Sequence, residues 1–180
     1  MSLSPQEAAQ ALHEIERAQN RSALLRGYAG GAPYLLLWSV LWAVGYGLTY
    51  LMPARSAAIW AVIVGIGALA GIVFLWRTKG SASGWRYGAA FAALAGFSAA
   101  ALAILRPASS TQVAAFVPLV VALSYVIGGL WFGLRFVVAG LALAALTLAG
   151  YFLLREHFLL WMAVVGSGAL LIAGLWLRRA

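Results

Sequence analysis

The sequence contains no cysteine, which excludes disulfides, thiolate nucleophiles and metal or iron–sulfur centres held by cysteine. It has no aspartate, and its acidic residues are only Glu7, Glu14, Glu16 and Glu156. No charged side chain or histidine falls well inside any of its long apolar stretches. Because ion and proton pathways through a bilayer usually depend on such groups, we do not expect proton-coupled transport.

Histidine is also scarce, and neither copy belongs to a recognisable site. No second histidine follows His13 at the spacing of a zinc-binding helix, and His157 lies in a short predicted loop. The two are predicted on opposite sides of a membrane and so cannot ligate one haem together. The sequence also lacks a glycine-rich phosphate loop and a serine with a histidine partner. We therefore expect no catalysis, no metal site and no cofactor.

Charged residues make up only 9% of the 180 residues, whereas 64% are hydrophobic. The mean hydropathy of +0.95 lies outside the range of soluble domains. Six apolar stretches, with Arg86 at the edge of the third as their only charged residue, are each long enough to cross a bilayer as a helix. The sequence predicts an all-α polytopic membrane protein, a compact bundle of six transmembrane helices in residues 32–180, with spans at about 33–52, 57–76, 85–105, 112–130, 136–154 and 158–177.

Residues 1–31 are predicted to form a short cytosolic amphipathic helix and a glycine-rich hinge. Ser4, Pro5 and Glu7 make a capping box at the start of this helix. Gly27 is placed to end it, and Gly30, Gly31 and Pro33 are predicted to form the hinge. Because no apolar run precedes residue 33, we expect an uncleaved first helix rather than a signal peptide.

Basic residues predict the orientation of the bundle. Nine lysines and arginines lie on the side of the N-terminus in this arrangement, and three lie on the other side. The bias predicts that both termini are cytoplasmic, and we expect a bacterial inner membrane. The net charge of +8 does not indicate nucleic-acid binding, because the basic residues are dispersed at helix ends. A modest basic surface around residues 77–86 and 178–179 is expected mainly to fix topology.

Aromatic residues recur at every fourth position of the first span, which predicts one tilted ridge along a helix. The interpretation favoured by ordinary packing is that this ridge lies in the bundle core. The functional alternative is a pocket for an aromatic, cationic or lipid-like ligand. Its predicted lining is Trp38, Trp42, Tyr46 and Tyr125. Serine and threonine hydroxyls at similar depth would either extend a polar path or bond to their own helix backbone.

Small residues four positions apart recur in several spans, for example Gly67 with Gly71 and Ala92 with Gly96. Such pairs favour close packing of helices inside the bundle, and they would also allow a homo-oligomer. A shift of 101 residues superposes spans one and two on spans five and six, matching Trp60 with Trp161. A duplicated hairpin would explain this similarity, although chance matches are frequent in Gly-, Ala- and Leu-rich spans.

The remaining feature with a functional interpretation is the N-terminal helix. Since the membrane domain lacks reactive groups, we expect a non-catalytic protein that binds a cytosolic or membrane protein partner through Leu12, Ile15 and Leu25. The alternative is a small channel or carrier for an uncharged or amphipathic solute, using the aromatic pocket. Beyond these, the only partner expected is the lipid bilayer.

Overall fold

Every element that the structure describes is helical. The structure is a computed structural model, and it describes residues 5–77 and 84–179. The α-helices are α1 (Pro5–Leu51), α2 (Ser56–Arg77), α3 (Gly84–Leu105), α4 (Ser110–Phe132), α5 (Leu134–Leu153), α6 (Phe158–Trp161) and α7 (Ser167–Arg178). A π-helix, Met162–Gly166, joins α6 to α7. Short 3-10 turns, Pro53–Arg55 and Arg155–His157, precede α2 and α6.

Six helical segments among the described residues are long and apolar enough to cross a membrane, which confirms the predicted fold class. They are Gly30–Leu51, Pro53–Val73, Gly88–Leu105, Ser110–Trp131, Leu134–Leu153 and Arg155–Arg178. Each overlaps one predicted span, because a run of about 20 apolar residues is a local property of the sequence. The chain is therefore a multi-pass integral membrane protein.

The predicted end of the first helix at Gly27 is wrong. The described helix runs for 47 residues from Pro5 to Leu51, through Gly30, Gly31 and Pro33. Ser4, the predicted cap of this helix, lies outside the described residues. The boundary between the predicted segments 1–31 and 32–180 therefore falls inside one helix. The physical reason is burial: Ala32 and Leu35, directly around Pro33, are 0% and 1% exposed. Their packing offsets the hydrogen bond that proline removes.

The first and last spans form the centre of the bundle. In each of them 39% of the residues are buried, against 6% in the third span. The core cluster joins Ala32, Leu35, Trp42 and Tyr46 of α1 to residues of the last span such as Met162 and Leu177. Gly174 of α7 lies against Leu35 and Leu36, which brings the two helices close. Helix α1 is therefore anchored by the most buried part of the molecule.

The last span contains an irregularity that no sequence pattern predicted. Residues Met162–Gly166 form a π-helix between two α-helical segments. The Ser167 hydroxyl donates hydrogen bonds to the carbonyl oxygens of Ala163 and Val164 at this point. Such a bulge adds one residue to a turn and shifts the facing of the residues that follow it.

The contacts of two tryptophans agree with the similarity between the first and third hairpins. Trp60 lies against Gly45 of the preceding span, and the Trp161 indole donates to the Leu146 carbonyl oxygen at 2.9 Å. The 101-residue shift superposes Trp60 on Trp161 and Gly45 on Leu146, so both members of the two contacts correspond. Gly67 and its counterpart Gly168 differ, because Gly67 is packed against Trp38 and Gly168 has open space beside it. An internal repeat stays a prediction.

Candidate functional site: the α1 arm and its junction with the bundle

The part of α1 that precedes its membrane span is named here the arm, residues 5–29. At 1.5 Å per residue its length is about 37 Å. Because the arm and the span are one helix, the arm continues in the direction of the span instead of folding back. It is the only described helical segment outside the six spans that is longer than four residues.

The described side chains of the arm between residues 10 and 25 are all exposed. Ile15 is 54% exposed and Leu25 is 41% exposed, and both belong to the predicted docking residues. The side chain of the third, Leu12, lies outside the described residues. The arm carries charge in its sequence, so water rather than lipid surrounds it and these two apolar side chains have no bilayer to cover them.

The exposed apolar line of the arm begins close to the buried line of the span. Ala32, Ser39 and Tyr46 are spaced seven apart and are 0%, 4% and 1% exposed. Seven residues fall about 20° short of two turns, so the line drifts as it passes back through Leu25 to Ala18, which lies about 80° round the helix from Tyr46. Leu25 and Ala18 are both exposed. The apolar line of the arm therefore winds gradually away from the face that packs inside the bundle, and no helix among the described residues covers it.

Where the arm meets the bundle, one arginine holds two other elements. Arg135, near the start of α5, donates from Nη1 to the Trp176 carbonyl oxygen at 2.7 Å. Its guanidinium carbon lies 5.4 Å from the centre of the Tyr28 ring and 5.1 Å from that of Trp176. These are cation–π distances, and the bonded carbonyl belongs to the last turn of α7, where the helix dipole favours a cation.

The neighbouring Phe136 packs into the same place. Its ring centre lies 5.9 Å from that of Tyr28. A Cβ atom added at Gly31 would lie 2.5 Å from Phe136 Cζ, so only glycine admits the ring here. Tyr28, Gly31, Arg135, Phe136 and Trp176 are named here the junction. From the sequence, Arg135 was expected only to help fix the topology. The aromatic residues at the ends of the first and last spans were the only sequence signal for the junction.

The aromatic residues predicted to line a pocket fall in three places. Trp42 and Tyr46 are in contact in the core, with ring centres 5.8 Å apart, and are 3% and 1% exposed. Trp38 points to the side of α2 and α3, where it lies against Gly67 and 6.1 Å from the Phe91 ring. Tyr125 contacts Phe136 beside the junction, at 6.4 Å between ring centres. Trp42 and Tyr46 belong to the core cluster, and Trp38 and Tyr125 are partly buried against it. A pocket lined by the four stays a prediction.

Tyr46 has a specific structural role that the sequence analysis missed. Its hydroxyl donates to the Ala114 carbonyl oxygen of α4 at 2.8 Å. In a regular helix this carbonyl would accept from the amide of residue 118, but residue 118 is a proline and has no amide hydrogen. Tyr46 therefore supplies the donor that Pro118 lacks.

The hydroxyls at membrane depth bond to their own helices. Ser39, Thr49, Ser124 and Thr147 each donate to a backbone carbonyl three or four residues earlier, at 2.7–2.8 Å. This is the ordinary use of serine and threonine in a transmembrane helix. Their arrangement does not join them into a polar path.

Outside this site, an open groove lies at the opposite end of the bundle. It has a volume of about 280 Å³ and is lined by Leu154, His157, Leu160, Trp161, Val164 and Val165. It is apolar and has the exposure expected of a lipid-facing surface.

Among residues 5–77 and 84–179, no three His, Asp or Glu side chains are grouped as metal ligands would be. The basic loop proposed from the sequence falls largely at residues 78–83, outside the described residues.

Comparisons with protein-family models, with curated proteins and with solved structures find no match to this chain. The fold defines a six-helix membrane bundle with a helical arm. The arm and the junction are the parts of the molecule that bear on its function.

Proposed function

We propose that this chain is a non-catalytic membrane protein that binds one helix of a protein partner along its arm. The observation that carries the proposal is the continuity of α1. One helix runs from the bundle core, where Tyr46 is 1% exposed, to an arm on which Ile15 and Leu25 are 54% and 41% exposed. An apolar line without lipid to cover it is a typical docking surface for a helix.

The residue types on this line favour a helical partner. Alanines at positions 11 and 18 alternate with Ile15 and Leu25 at the three- and four-residue spacing of a helix–helix seam. Small side chains let another backbone approach, and the two larger ones provide the apolar contact area. We expect the partner to present a matching stripe of small and aliphatic residues.

Attachment of the arm to the membrane surface is less well supported. The arm contains no tryptophan or phenylalanine, the residues that usually anchor an interfacial helix. In addition, a helix that continues a membrane span without an interruption leads out of the bilayer instead of turning back along it. Both features favour a partner in the aqueous phase.

The compartment of that partner follows from the proposed orientation. An even number of spans puts both termini on one side, and the excess of nine basic residues over three supports the cytoplasm as that side. We propose a bacterial inner membrane as the location, with the arm and its partner in the cytoplasm.

The alternative of a carrier has less support from the geometry. Trp42 and Tyr46, which would line its pathway, pack against each other, and the Tyr46 hydroxyl is bound to a carbonyl. We therefore propose docking alone.

A photo-cross-linker placed at Ala18 tests the proposal in native membranes. We expect a discrete adduct with one protein, and the Ile15→Asp substitution should strongly reduce it, since it places a charge on the docking line. His13→Asp is the matched control, because residue 13 lies on the opposite side of the same exposed helix. An adduct that both substitutions leave unchanged, or no protein adduct, would refute docking at this face.

A further inference from the structure

The stretch of α1 that connects the arm to the span is intrinsically weak as a helix. It contains Gly27, Gly30, Gly31 and Pro33 within seven residues. In a helix interior glycine costs about 1 kcal/mol and proline about 3 kcal/mol relative to alanine. Proline also deprives the carbonyl of residue 29 of its usual donor. Nevertheless the stretch is helical throughout, so contacts with other elements must hold it.

The two central glycines of this stretch differ in what surrounds them. Gly31 is required by packing, because a Cβ there would collide with Phe136. Gly30 has no atom within 4 Å of the position where its Cβ would lie. An alanine would fit at residue 30 and would stiffen the helix. Packing therefore does not explain the glycine at residue 30, and its remaining physical effect is a lower cost of bending.

Arg135 contacts both this stretch and the last helix. Its guanidinium lies between the Tyr28 ring on α1 and the Trp176 ring on α7, and it is tied to α7 by the 2.7 Å hydrogen bond to the Trp176 carbonyl. Tyr28 lies inside the weak stretch, between Gly27 and Gly30. A planar cation that stacks on two rings and bonds to a carbonyl fixes direction as well as distance, which an ammonium group does not.

We propose that residues 27–33 are a hinge and that Arg135 is the clamp that holds it closed. With the clamp closed, the arm continues the span and its docking line keeps a fixed direction relative to the bundle. With the clamp open, the arm bends at Gly30 and the line turns away. The consequence for the partner rests on the proposed function, whereas the hinge itself does not.

Spin-label distances measure the hinge in the full-length chain without a partner. The chain has no cysteine, so a Ser22→Cys and Leu130→Cys pair gives labels on the arm and on the bundle without any background. Both positions are exposed. We expect one narrow distance distribution in the parent chain. Arg135→Gln should raise the population at other distances roughly tenfold, as the loss of two cation–π contacts and one charged hydrogen bond predicts.

Two further variants make the result specific. Arg178→Gln removes a charge at the same end of the bundle from an exposed arginine, and it should leave the distribution narrow. Adding Gly30→Ala to Arg135→Gln should narrow the distribution again, because alanine restores helix stiffness without a clash. If Arg135→Gln does not fold, Tyr28→Ala opens the clamp from the other side. A narrow, unshifted distribution in a folded Arg135→Gln or Tyr28→Ala variant would overturn the hinge.

The adduct at Ala18 then separates the two proposals. If the distance distribution broadens in the Arg135→Gln variant and the yield of the adduct decreases, the clamp regulates docking. If the distances broaden and the adduct is unchanged, the hinge stands and its coupling to the partner is wrong. If the parent chain gives no adduct but the distances respond, docking fails and the hinge remains.

Discussion

At the scale of single residues, Tyr46 has the most specific structural role in the described bundle. Its ring packs edge-on against Trp60 of α2, with centres 4.9 Å apart, while its hydroxyl serves the carbonyl that Pro118 leaves without a donor on α4. A carbonyl without a partner is expensive in a membrane interior, where water cannot replace the donor. Tyr46 thus joins three helices through one residue.

Tyr46→Phe should lower the free energy of unfolding by about 2 kcal/mol, because it keeps the ring and removes only the donor. Pro118→Ala should make the same substitution nearly neutral, since the amide of Ala at 118 would then satisfy the Ala114 carbonyl. Unfolding in mixed micelles, measured for both single variants and the double variant, gives this coupling. Equal losses from Tyr46→Phe with and without Pro118 would contradict the assignment.

Two glycines of α2 provide a matched pair. A Cβ at Gly67 would lie 2.5 Å from the Trp38 ring, whereas a Cβ at Gly65 meets nothing within 4 Å. Gly67→Ala should destabilise the bundle by about 2 kcal/mol through overpacking, and Gly65→Ala should be neutral or slightly stabilising. The same unfolding assay compares them. A similar effect of both substitutions would mean that α2 does not pack on Trp38 as described.

Residue-scale prediction from the sequence succeeded where a pattern was local. The favoured interpretation that the aromatic ridge packs in the core agrees with the burial of Trp42 and Tyr46, whereas Tyr50, at the same spacing, is 43% exposed. The role of Arg135 was not predictable, because its partners Tyr28 and Trp176 are distant in sequence and only the packed helices bring them together. The Tyr46–Ala114 hydrogen bond was missed for the same reason.

At the scale of elements, α4 shows how a helix in this chain is started. The Ser109 hydroxyl accepts from the Gln112 amide at 3.3 Å, and the Gln112 side-chain oxygen accepts from the amides of Ala108 and Ser109. This reciprocal capping box places the helix start at Ser110, two residues before the predicted span.

Ser109→Ala should therefore destabilise the first turn of α4 by about 1 kcal/mol. Amide hydrogen exchange in residues 110–114 should increase, because the cap no longer holds their amides. Ser110→Ala is the control, since it changes the adjacent exposed serine and leaves the box in place. Equal exchange in the two variants would argue against the cap.

Elements were predictable in their number and approximate limits, but not in how α1 passes the bilayer boundary. Gly27, Gly30, Gly31 and Pro33 are valid signals for a helix end, and the prediction failed because burial of Ala32 and Leu35 and the contacts of the junction outweigh them. The π-helix at Met162–Gly166 could not be predicted either, since its residues have ordinary helical composition.

At the scale of the whole molecule, the account requires that both ends of the chain lie on the same, cytoplasmic side. Single cysteines at Ser22, Arg106 and Arg179 can be labelled in intact cells and in inverted vesicles, with no native thiol to interfere. We expect residues 22 and 179 to react only in inverted vesicles and residue 106 only in intact cells. Labelling of residues 22 and 179 from different sides would exclude six crossings.

The central claim is that the exposed apolar line of the arm is a docking line for a protein partner. A photo-cross-linker moved through every position from Ala11 to Leu25 in native membranes tests it most directly. We predict protein adducts that recur with the helical period, strong at Ala11, Ile15, Ala18, Ser22 and Leu25 and weak at His13 and Arg17. Adducts of equal yield at all positions, or adducts with lipid alone, would contradict the claim.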